Sequence, residues 1–329
     1  MRAMTITRFG EPDVLKMAEM PEPAVGENDL LIEVHAAGLN PVDTKIRRGM
    51  HGEKALPLIP GYDVSGVVQG MGAKVDRERF KVGDEVYASP SLARHGSHAE
   101  RVAVDARSAA HKPRTLGHVE TAALPLVTLT AWEALYDRAR VRSGETVLIH
   151  AGAGGVGHVA IQLAKRADCT VWTTASRAES IALCKEVGAD VVIDHKKEKW
   201  VERVTAETGG KGLAVIFDTV GDPVFDQCLD AIAVNGRLVT IVLNQNPRVV
   251  PALFRKNVTL HLEFMGIPTV HGINPGHQGE ILAEAATMTD EGKLRPHVHK
   301  VIGLEELPAA HAEQQGGKVM GKIVVRVRG

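Results

Sequence analysis

A glycine-rich segment from Gly152 to Gly157 has the sequence Gly-Ala-Gly-Gly-Val-Gly and so matches the spacing G-x-G-x-x-G. It lies between an apolar run typical of a strand, residues 146–150, and a stretch of helical periodicity, residues 156–167. Glycines there let the backbone turn tightly and approach a pyrophosphate, whose charge meets the amides and positive dipole of the helix N-terminus. The pattern therefore predicts a dinucleotide site with contacts from Gly152, Gly154, Gly155, Val156 and Gly157.

The residues after the second predicted strand, 170–174, indicate which dinucleotide binds. NAD-selective sites place Asp or Glu there, because a carboxylate binds the ribose hydroxyls and repels a 2′-phosphate. This chain has Ala175, Ser176 and Arg177 instead. A hydroxyl and a guanidinium suit a phosphate, so Ser176 and Arg177 predict NADPH as the preferred cofactor. An arginine that simply faces solvent is the alternative interpretation.

The elements that must position these residues fall into two kinds. Up to about residue 115, short apolar runs are broken by Gly, Pro and Asp, which is typical of an irregular β domain. From there to about residue 266, apolar strands alternate with helical stretches, which predicts βαβ units and a parallel sheet of at least five strands. The tail has one predicted helix, residues 279–294, and a final strand, 321–327, that most simply rejoins the first domain.

Composition excludes several classes of protein. A formal net charge of −1 leaves no general basic field, so nucleic acid is not an expected partner. No window approaches the roughly 20 apolar residues that cross a bilayer, and the first residues lack a signal-peptide core, so we expect a cytoplasmic protein without membrane contact. The three cysteines are too scattered for a disulfide framework and are expected to be free thiols.

Several longer segments resemble the medium-chain dehydrogenase/reductase superfamily and, within it, the zinc-independent NADPH:quinone oxidoreductases. The resemblance covers nearly the whole chain. It is carried by the glycine loop and by segments quoted as they stand: AAGLNPVDTKIRRG (36–49), LPLIPGYDVSGVV (56–68), VGDEVYA (82–88), AALPLVTLTAWEAL (122–135), FDTVG (217–221) and GGKVMGKIVV (316–325).

This resemblance implies an α/β protein of two domains. A β-rich, GroES-like catalytic domain is expected over residues 1–120 and 268–329, and a Rossmann domain with a doubly wound parallel sheet over 121–267, with a cleft at their junction. It also implies that Thr130 lies near the nicotinamide and that Asn40 and Asp43 face the substrate, with Asn40 also counted among the cofactor contacts. We expect a homodimer.

The positions that hold catalytic zinc in related enzymes carry other residues here. Those enzymes use a Cys in the first quoted segment and a His-Glu pair in the second, where this chain has Asn40, Tyr62 and Asp63. Tetrahedral zinc requires a preset cluster of Cys, His or carboxylate ligands. His95 and His98 are spaced i, i+3, but two ligands without a third more often indicate solvated loop residues. We therefore predict no metal.

Without zinc, hydrogen-bond donors or water must stabilise the charge that develops on the substrate oxygen. The Tyr62 hydroxyl and the Asn40 amide are the candidates, although a structural tyrosine in a β core is equally compatible with Tyr62. Such neutral donors suit a quinone or conjugated enone better than an unactivated alcohol. The sequence leaves open an enoyl or 2-alkenal reductase, and a non-catalytic NADPH-binding protein with a structural or RNA-binding role. His195, after the third strand, is a weaker candidate for contact with the adenosine.

Overall fold

The computed structural model describes residues 1–50, 55–243, 247 and 249–328. The chain forms two compact units, one of Met1–Leu129 with Gly266–Gly329 and the other of Thr130–Met265. The expected combination of a β-rich unit and a parallel-sheet unit is confirmed. The predicted domain boundaries near residues 120 and 268 stay predictions.

The N-terminal part of the first unit is mostly strands. These are β1 (Arg2–Ile6), β2 (Leu15–Glu19), β3 (Asp29–Leu39), β4 (Val64–Met71), β5 (Glu85–Ala88), β6 (Arg101–Asp105) and β7 (Ala110–His111), with the helix α1 (Pro41–Arg47), 3₁₀ turns at Pro12–Val14 and Ala106–Ser108, and the helices α2 (His118–Thr121) and α3 (Pro125–Trp132). Strand β3 is the centre of the antiparallel sheet, because it pairs with both β4 and β6.

Helix α1 was not predicted from the sequence, and its start is fixed by local hydrogen bonds. The Asn40 backbone N–H donates to the Asp43 carboxylate at 2.7 Å, and Pro41 occupies the first turn, where no N–H is needed. Asp43 also accepts a hydrogen bond from the Gly61 backbone N–H at 2.8 Å. A short helix inside a β-rich region therefore places Asn40 and Asp43 beside the segment that carries Tyr62.

The second unit alternates strands and helices, as the sequence predicted. After a π-helical segment at Glu133–Arg138, its elements are β8 (Thr146–Ile149), α4 (Gly155–Arg166), β9 (Thr170–Ala175), α5 (Ala178–Glu186), β10 (Val191–Asp194), α6 (Trp200–Glu207), β11 (Leu213–Asp218), α7 (Val224–Ala231), β12 (Ile232–Thr240), α8 (Val249–Lys256) and β13 (Thr259–Leu262). The six strands are parallel in the order β10-β9-β8-β11-β12-β13. Such a sheet is covered on both faces, which explains its continuous apolar runs.

Strand β12 contains two residue types that favour turns. It runs from Ile232 through Asn235 and Gly236 to Thr240. The register with β11 shifts at this point, and Asn235 has a positive φ of 57°. The asparagine and glycine therefore form an irregularity within the strand rather than a turn before it.

The tail returns to the first unit. It comprises α9 (Ile267–His271), α10 (Gly276–Asp290), β14 (Val298–Ile302), a 3₁₀ turn at Leu304–Glu306, α11 (Leu307–Gln315) and β15 (Lys322–Arg326). The expectation of one helix was wrong, because α9 and α11 accompany the predicted α10. Strand β15 pairs antiparallel with β3, as expected for a strand that rejoins the first domain. Within the described ranges, no helix is both long and apolar enough to cross a membrane.

A buried ion pair ties this last strand to the N-terminal part of the unit. The Lys322 ammonium donates to the Asp63 carboxylate at 2.7 Å and also to the side-chain oxygen of Asn40. Asp63 accepts further hydrogen bonds from the Asn40 amide at 2.6 Å and from the backbone N–H of Leu126, in the first turn of α3, at 2.6 Å. Burial raises the pKa of Asp63, and Lys322 opposes that shift.

We expect Lys322→Met to lower the free energy of unfolding by about 3 to 5 kcal/mol at neutral pH, because it leaves Asp63 charged, buried and without its counter-ion. The loss should shrink as the pH falls, since the buried carboxyl, with its raised pKa, takes up a proton and then needs no counter-charge. Urea unfolding at several pH values measures both effects.

The exposed Lys318 provides the control, and Lys318→Met should change the free energy of unfolding by less than about 0.5 kcal/mol. Adding Asp63→Asn to Lys322→Met should recover part of the loss. Equal destabilisation by the two lysine variants would contradict an essential ion pair.

Candidate functional site

The carboxyl ends of three adjacent strands bring most of the predicted cofactor residues to one edge of the parallel sheet. Strand β9 lies between β8 and β10. The glycine segment follows β8, Ser176 and Arg177 follow β9, and His195 follows β10. Ligands of open α/β sheets bind at this edge.

The backbone of the glycine segment lies too close to its neighbours for larger residues. Glycines at these positions allow the tight turn that a pyrophosphate site needs. A Cβ atom on Gly152 would lie 2.1 Å from Thr173 Oγ1, and one on Gly157 would lie 2.3 Å from the Ala151 carbonyl oxygen. Gly154 caps α4, and Gly155 and Val156 begin it. The first amides of a helix have no partners within it, so they are available to an anion.

Ser176 and Arg177, for which the sequence predicts contact with a 2′-phosphate, follow the carboxyl end of β9. Both are half-buried, and Arg177 is the residue that precedes helix α5. Its Nε lies 3.9 Å from the Glu179 carboxylate, which is half exposed. The carboxylate is thus a weak competitor for the guanidinium, and it was not considered from the sequence.

The other two predicted cofactor residues have different settings. The ring of His195 is exposed, and its backbone N–H donates to the Ala175 carbonyl at 3.2 Å, which keeps it beside the β9 terminus. Thr130 is buried on α3. Their contacts with a nucleotide stay predictions.

Most of the hydrogen-bonding atoms in the side chains of Asn40 and Asp43 are already paired within the first unit. The Asn40 side chain donates to Asp63 and accepts from Lys322. Both Asp43 oxygens accept backbone N–H groups, from Asn40 and Gly61. Burial raises the pKa of Asp43 to about 7. Asn40 is therefore an oriented group, and Asp43 is a buried carboxyl that gains or loses a proton near neutral pH.

Tyr62 is fully buried, and its hydroxyl has no hydrogen-bond partner among the described residues. Burial, and then the nearby Asp43 charge, raise the pKa of the phenol. The hydroxyl therefore stays protonated and can donate. A substrate oxygen can use it only by entering the interior around Tyr62. Unpaired buried polar groups of this kind are uncommon and are found at functional sites.

At the positions of the catalytic zinc ligands, the side chains of Asn40 and Asp63 are already engaged in hydrogen bonds. Asp63 already accepts three donors, and neither an amide nor a phenol is among the side chains that bind zinc. Within the part of the chain that the structure describes, no three His, Cys, Asp or Glu side chains are grouped to hold a metal ion. The residues present do not fit zinc.

One expectation about the histidines was wrong. His95 is exposed, as expected for a loop residue, but His98 is completely buried, and its pKa falls to about 3 because burial disfavours the charged ring. Its ring packs against Gly61, where a Cβ atom would lie 2.7 Å from the ring. His98 is thus part of the core beside Tyr62 and not a solvated side chain.

Lys322 and the polar groups beneath the glycine segment were not predicted from the sequence. Lys322 begins an otherwise apolar strand, and a lysine in such a position signals a buried partner. Thr174 is the missed group under the loop, since its hydroxyl accepts a hydrogen bond from the Ala151 backbone N–H at 3.1 Å. Alternation within β9 offered no signal for it, because both faces of the strand are buried.

Comparison with known proteins identifies the family. Residues 26–123 match the alcohol dehydrogenase GroES-like domain, and residues 187–325 match a zinc-binding dehydrogenase domain. A quinone oxidoreductase from Rattus norvegicus is 30% identical, with 99% of this chain and 97% of the relative covered.

Two solved structures extend the comparison over the whole chain. The quinone oxidoreductase from Coxiella burnetii has a TM-score of 0.87 at 34% identity and covers 100% of this chain and 99% of its own. A mycobacterial protein complexed with NADPH has a TM-score of 0.88 at 31% identity and covers 99% of this chain and 100% of its own. The chain is therefore a member of the medium-chain dehydrogenase/reductase superfamily, of the quinone oxidoreductase type, and an oxidoreductase.

Proposed function

We propose that this oxidoreductase uses NADPH to reduce quinones or similarly electron-poor carbonyl compounds, without zinc. The observation that carries the proposal is the hydrogen-bonded set of Asn40, Asp63 and Lys322, because these bonds engage the side chains at two of the three positions of catalytic zinc ligands, and the third position holds a tyrosine. The relative from rat and the solved structure from Coxiella burnetii, both called quinone oxidoreductases, support the same substrate class.

The reaction adds two electrons and two protons to the quinone. Bound NADPH supplies a hydride from its nicotinamide, and one further proton completes the hydroquinone. The protein must position the acceptor, exclude competing chemistry and provide a donor to the developing oxyanion. A quinone delocalises the added charge, so one neutral donor suffices, whereas removing a hydride from an alcohol requires a negatively charged oxygen that zinc normally stabilises.

We assign the donor role to Tyr62. Its hydroxyl is buried and lacks a partner among the described residues, whereas the Asn40 amide is already bonded to Asp63. Asp43, with a pKa near 7 and close to Tyr62, can restore the proton from the protein side. Asn40 then acts by orienting its neighbours.

The proposal of NADPH as the cofactor rests on residues at the carboxyl edge of the parallel sheet. NADPH is favoured over NADH because Ser176 and Arg177 follow β9 where a carboxylate would select NADH. One related structure is complexed with NADPH, which supports this choice.

NADPH should bind at least ten times more tightly than NADH, a difference of about 1.4 kcal/mol, because a charge-assisted contact to the 2′-phosphate can supply this energy. Arg177→Ala should raise the dissociation constant for NADPH about tenfold and that for NADH less than twofold. Fluorescence titration measures both constants.

Lys185→Ala removes an equal charge from the far end of α5 and should leave both constants unchanged. Glu179→Gln should increase the preference for NADPH, since it removes a carboxylate 3.9 Å from Arg177. Equal wild-type affinities for the two dinucleotides would reject the NADPH assignment.

A panel of quinones, 2-alkenals, enoyl compounds and simple alcohols tests the substrate class. NADPH oxidation should occur with small quinones and be unaffected by EDTA, and no alcohol should be oxidised with NADP. Elemental analysis should find no stoichiometric zinc. Turnover only with alkenals or enoyl compounds would assign the alternative reductase activity, and NADPH binding without turnover would indicate a binding protein.

The Tyr62→Phe variant, assayed in the same panel, separates the proton sources. Loss of the donor should lower kcat by roughly 100-fold to 1000-fold. The free energy of unfolding should stay equal or rise by about 1 kcal/mol, because the variant removes a buried hydroxyl that has no described partner. A decrease in kcat below about threefold would assign protonation to water.

We also propose that the protein forms a homodimer through β13. This strand is the last of the six-stranded sheet, and an edge strand presents free N–H and C=O groups to a partner. Large apolar side chains are exposed at Val250 and Phe254 on α8, the helix that precedes β13, and at Leu262 at the end of β13. A second copy related by a twofold axis would bury the same residues on both sides and continue the sheet.

Sedimentation velocity should find a dimer at micromolar concentrations, and Phe254→Asp should shift it to monomer because a charge would be buried at the apolar contact. Val82→Asp, at an exposed site of the first unit, is the control and should stay dimeric. A monomeric wild-type protein would refute the homodimer.

A further inference from the structure

Beneath the glycine segment, a chain of buried polar groups connects helix α7 to the start of the dinucleotide loop. The Ala151 backbone N–H lies 3.1 Å from Thr174 Oγ1, and Thr174 Oγ1 lies 3.2 Å from His150 Nδ1. On the other side of the ring, His150 Nε2 lies 3.4 Å from Cys228 Sγ, which lies 3.3 Å from the Val224 carbonyl oxygen. His150, Thr174 and Cys228 are all at least nine-tenths buried.

Only one arrangement of hydrogens lets every donor in this series of polar groups reach an acceptor. Ala151 N–H donates to the Thr174 hydroxyl, the hydroxyl donates to His150 Nδ1, His150 Nε2–H donates to the Cys228 sulfur, and the thiol donates to the Val224 carbonyl. In the opposite tautomer, with the proton on Nδ1, the Thr174 hydroxyl loses this acceptor. Because buried polar groups are almost always paired, the Nε2–H tautomer follows.

The titration behaviour of these groups keeps that arrangement in place. Burial lowers the pKa of His150 to about 3, so the ring is neutral and retains one acceptor nitrogen. Burial also raises the pKa of Cys228 well above its usual value, so the thiol keeps its proton. The edge of His150 packs against the Trp200 ring, with centroids 4.7 Å apart.

The series of hydrogen-bonded groups ends at Ala151, whose backbone is strained. Its φ is 51°, in the left-handed region that alanine rarely adopts, and it turns the backbone from β8 into Gly152. The His150 backbone is fixed separately, since its N–H donates to Phe217 and its carbonyl accepts the Thr219 hydroxyl at 2.8 Å. Thr174 thus holds the Ala151 N–H with its hydroxyl, while its backbone carbonyl accepts the next N–H, that of Gly152, at 3.2 Å.

We propose that Thr174 and His150, with Cys228 behind them, are positioning residues for dinucleotide binding, which hold Ala151 in its left-handed conformation and so keep the glycine loop shaped for a pyrophosphate. This role rests on the proposed function, in which the loop binds NADPH. It acts on the pyrophosphate common to both dinucleotides and is therefore independent of the 2′-phosphate.

Thr174→Val keeps the shape of the side chain and removes the acceptor for Ala151 N–H. Its dissociation constants for NADPH and for NADH should both rise about tenfold, so their ratio should not change. The KM for a quinone should stay the same. Thr174→Ser restores the hydroxyl and should restore both affinities, and Thr170→Val, at the exposed start of the same strand, is the matched control.

The tautomer of His150 provides a readout in the protein without cofactor. Nitrogen-15 NMR should find the proton on Nε2 in the wild type and in Cys228→Ser. If Thr174→Val does not fold, Cys228→Ala tests the same series of hydrogen-bonded groups from its other end. This variant deprives His150 Nε2–H of its acceptor, so both dissociation constants should rise about threefold.

The outcomes separate this inference from the function on which it rests. A proton on Nδ1, or unchanged affinities in Thr174→Val, would overturn the positioning role while wild-type binding of NADPH leaves the proposed function intact. Absence of dinucleotide binding by the wild-type protein would overturn the proposed function and the positioning role together.

Discussion

The Asp63 carboxylate is the constraint on which the first unit depends, because it joins three parts of the chain that are far apart in sequence. It accepts hydrogen bonds from Asn40, after β3, from Leu126, at the start of α3, and from Lys322, at the start of β15. Taking a carboxylate out of water is costly unless charge and hydrogen bonds compensate it. All three donors must therefore be in place together, which fixes how the ends of these elements meet.

The same constraint shapes the chemistry. The positive charge beside Asn40 and Asp63 belongs to the Lys322 side chain and is already neutralised by Asp63. A neutralised pair cannot polarise a substrate oxygen as a metal would. In the proposed function the Tyr62 hydroxyl, a neutral donor, would supply the stabilisation, and such a donor suits acceptors that spread the added charge themselves.

The sequence predicted the second unit well because its signals are local. The glycine segment, its strand and its helix lie where expected, since each depends on neighbouring residues. The first unit was harder, because its important contacts join distant residues. Nothing near Lys322 in sequence indicates Asp63, and nothing near His98 indicates that Gly61 and its neighbours bury it. Helix α1 is a different case, since its start is marked locally by Pro41 and by the Asn40 N–H that donates to Asp43, and this local signal was overlooked.

The way the chain is divided has a consequence for its synthesis. The second unit is one continuous stretch, Thr130–Met265, so all of its strands have emerged from a ribosome long before the chain ends. The first unit lacks one of the three partners of β3 until β15, Lys322–Arg326, has been made. Until then Asp63 has no counter-ion, and the residues Ala36 to Leu39 of β3 are unpaired along one edge. The nascent protein therefore has all strands of its second unit while the sheet of its first unit is unfinished, and it is β15 that protects this sheet from pairing with other chains.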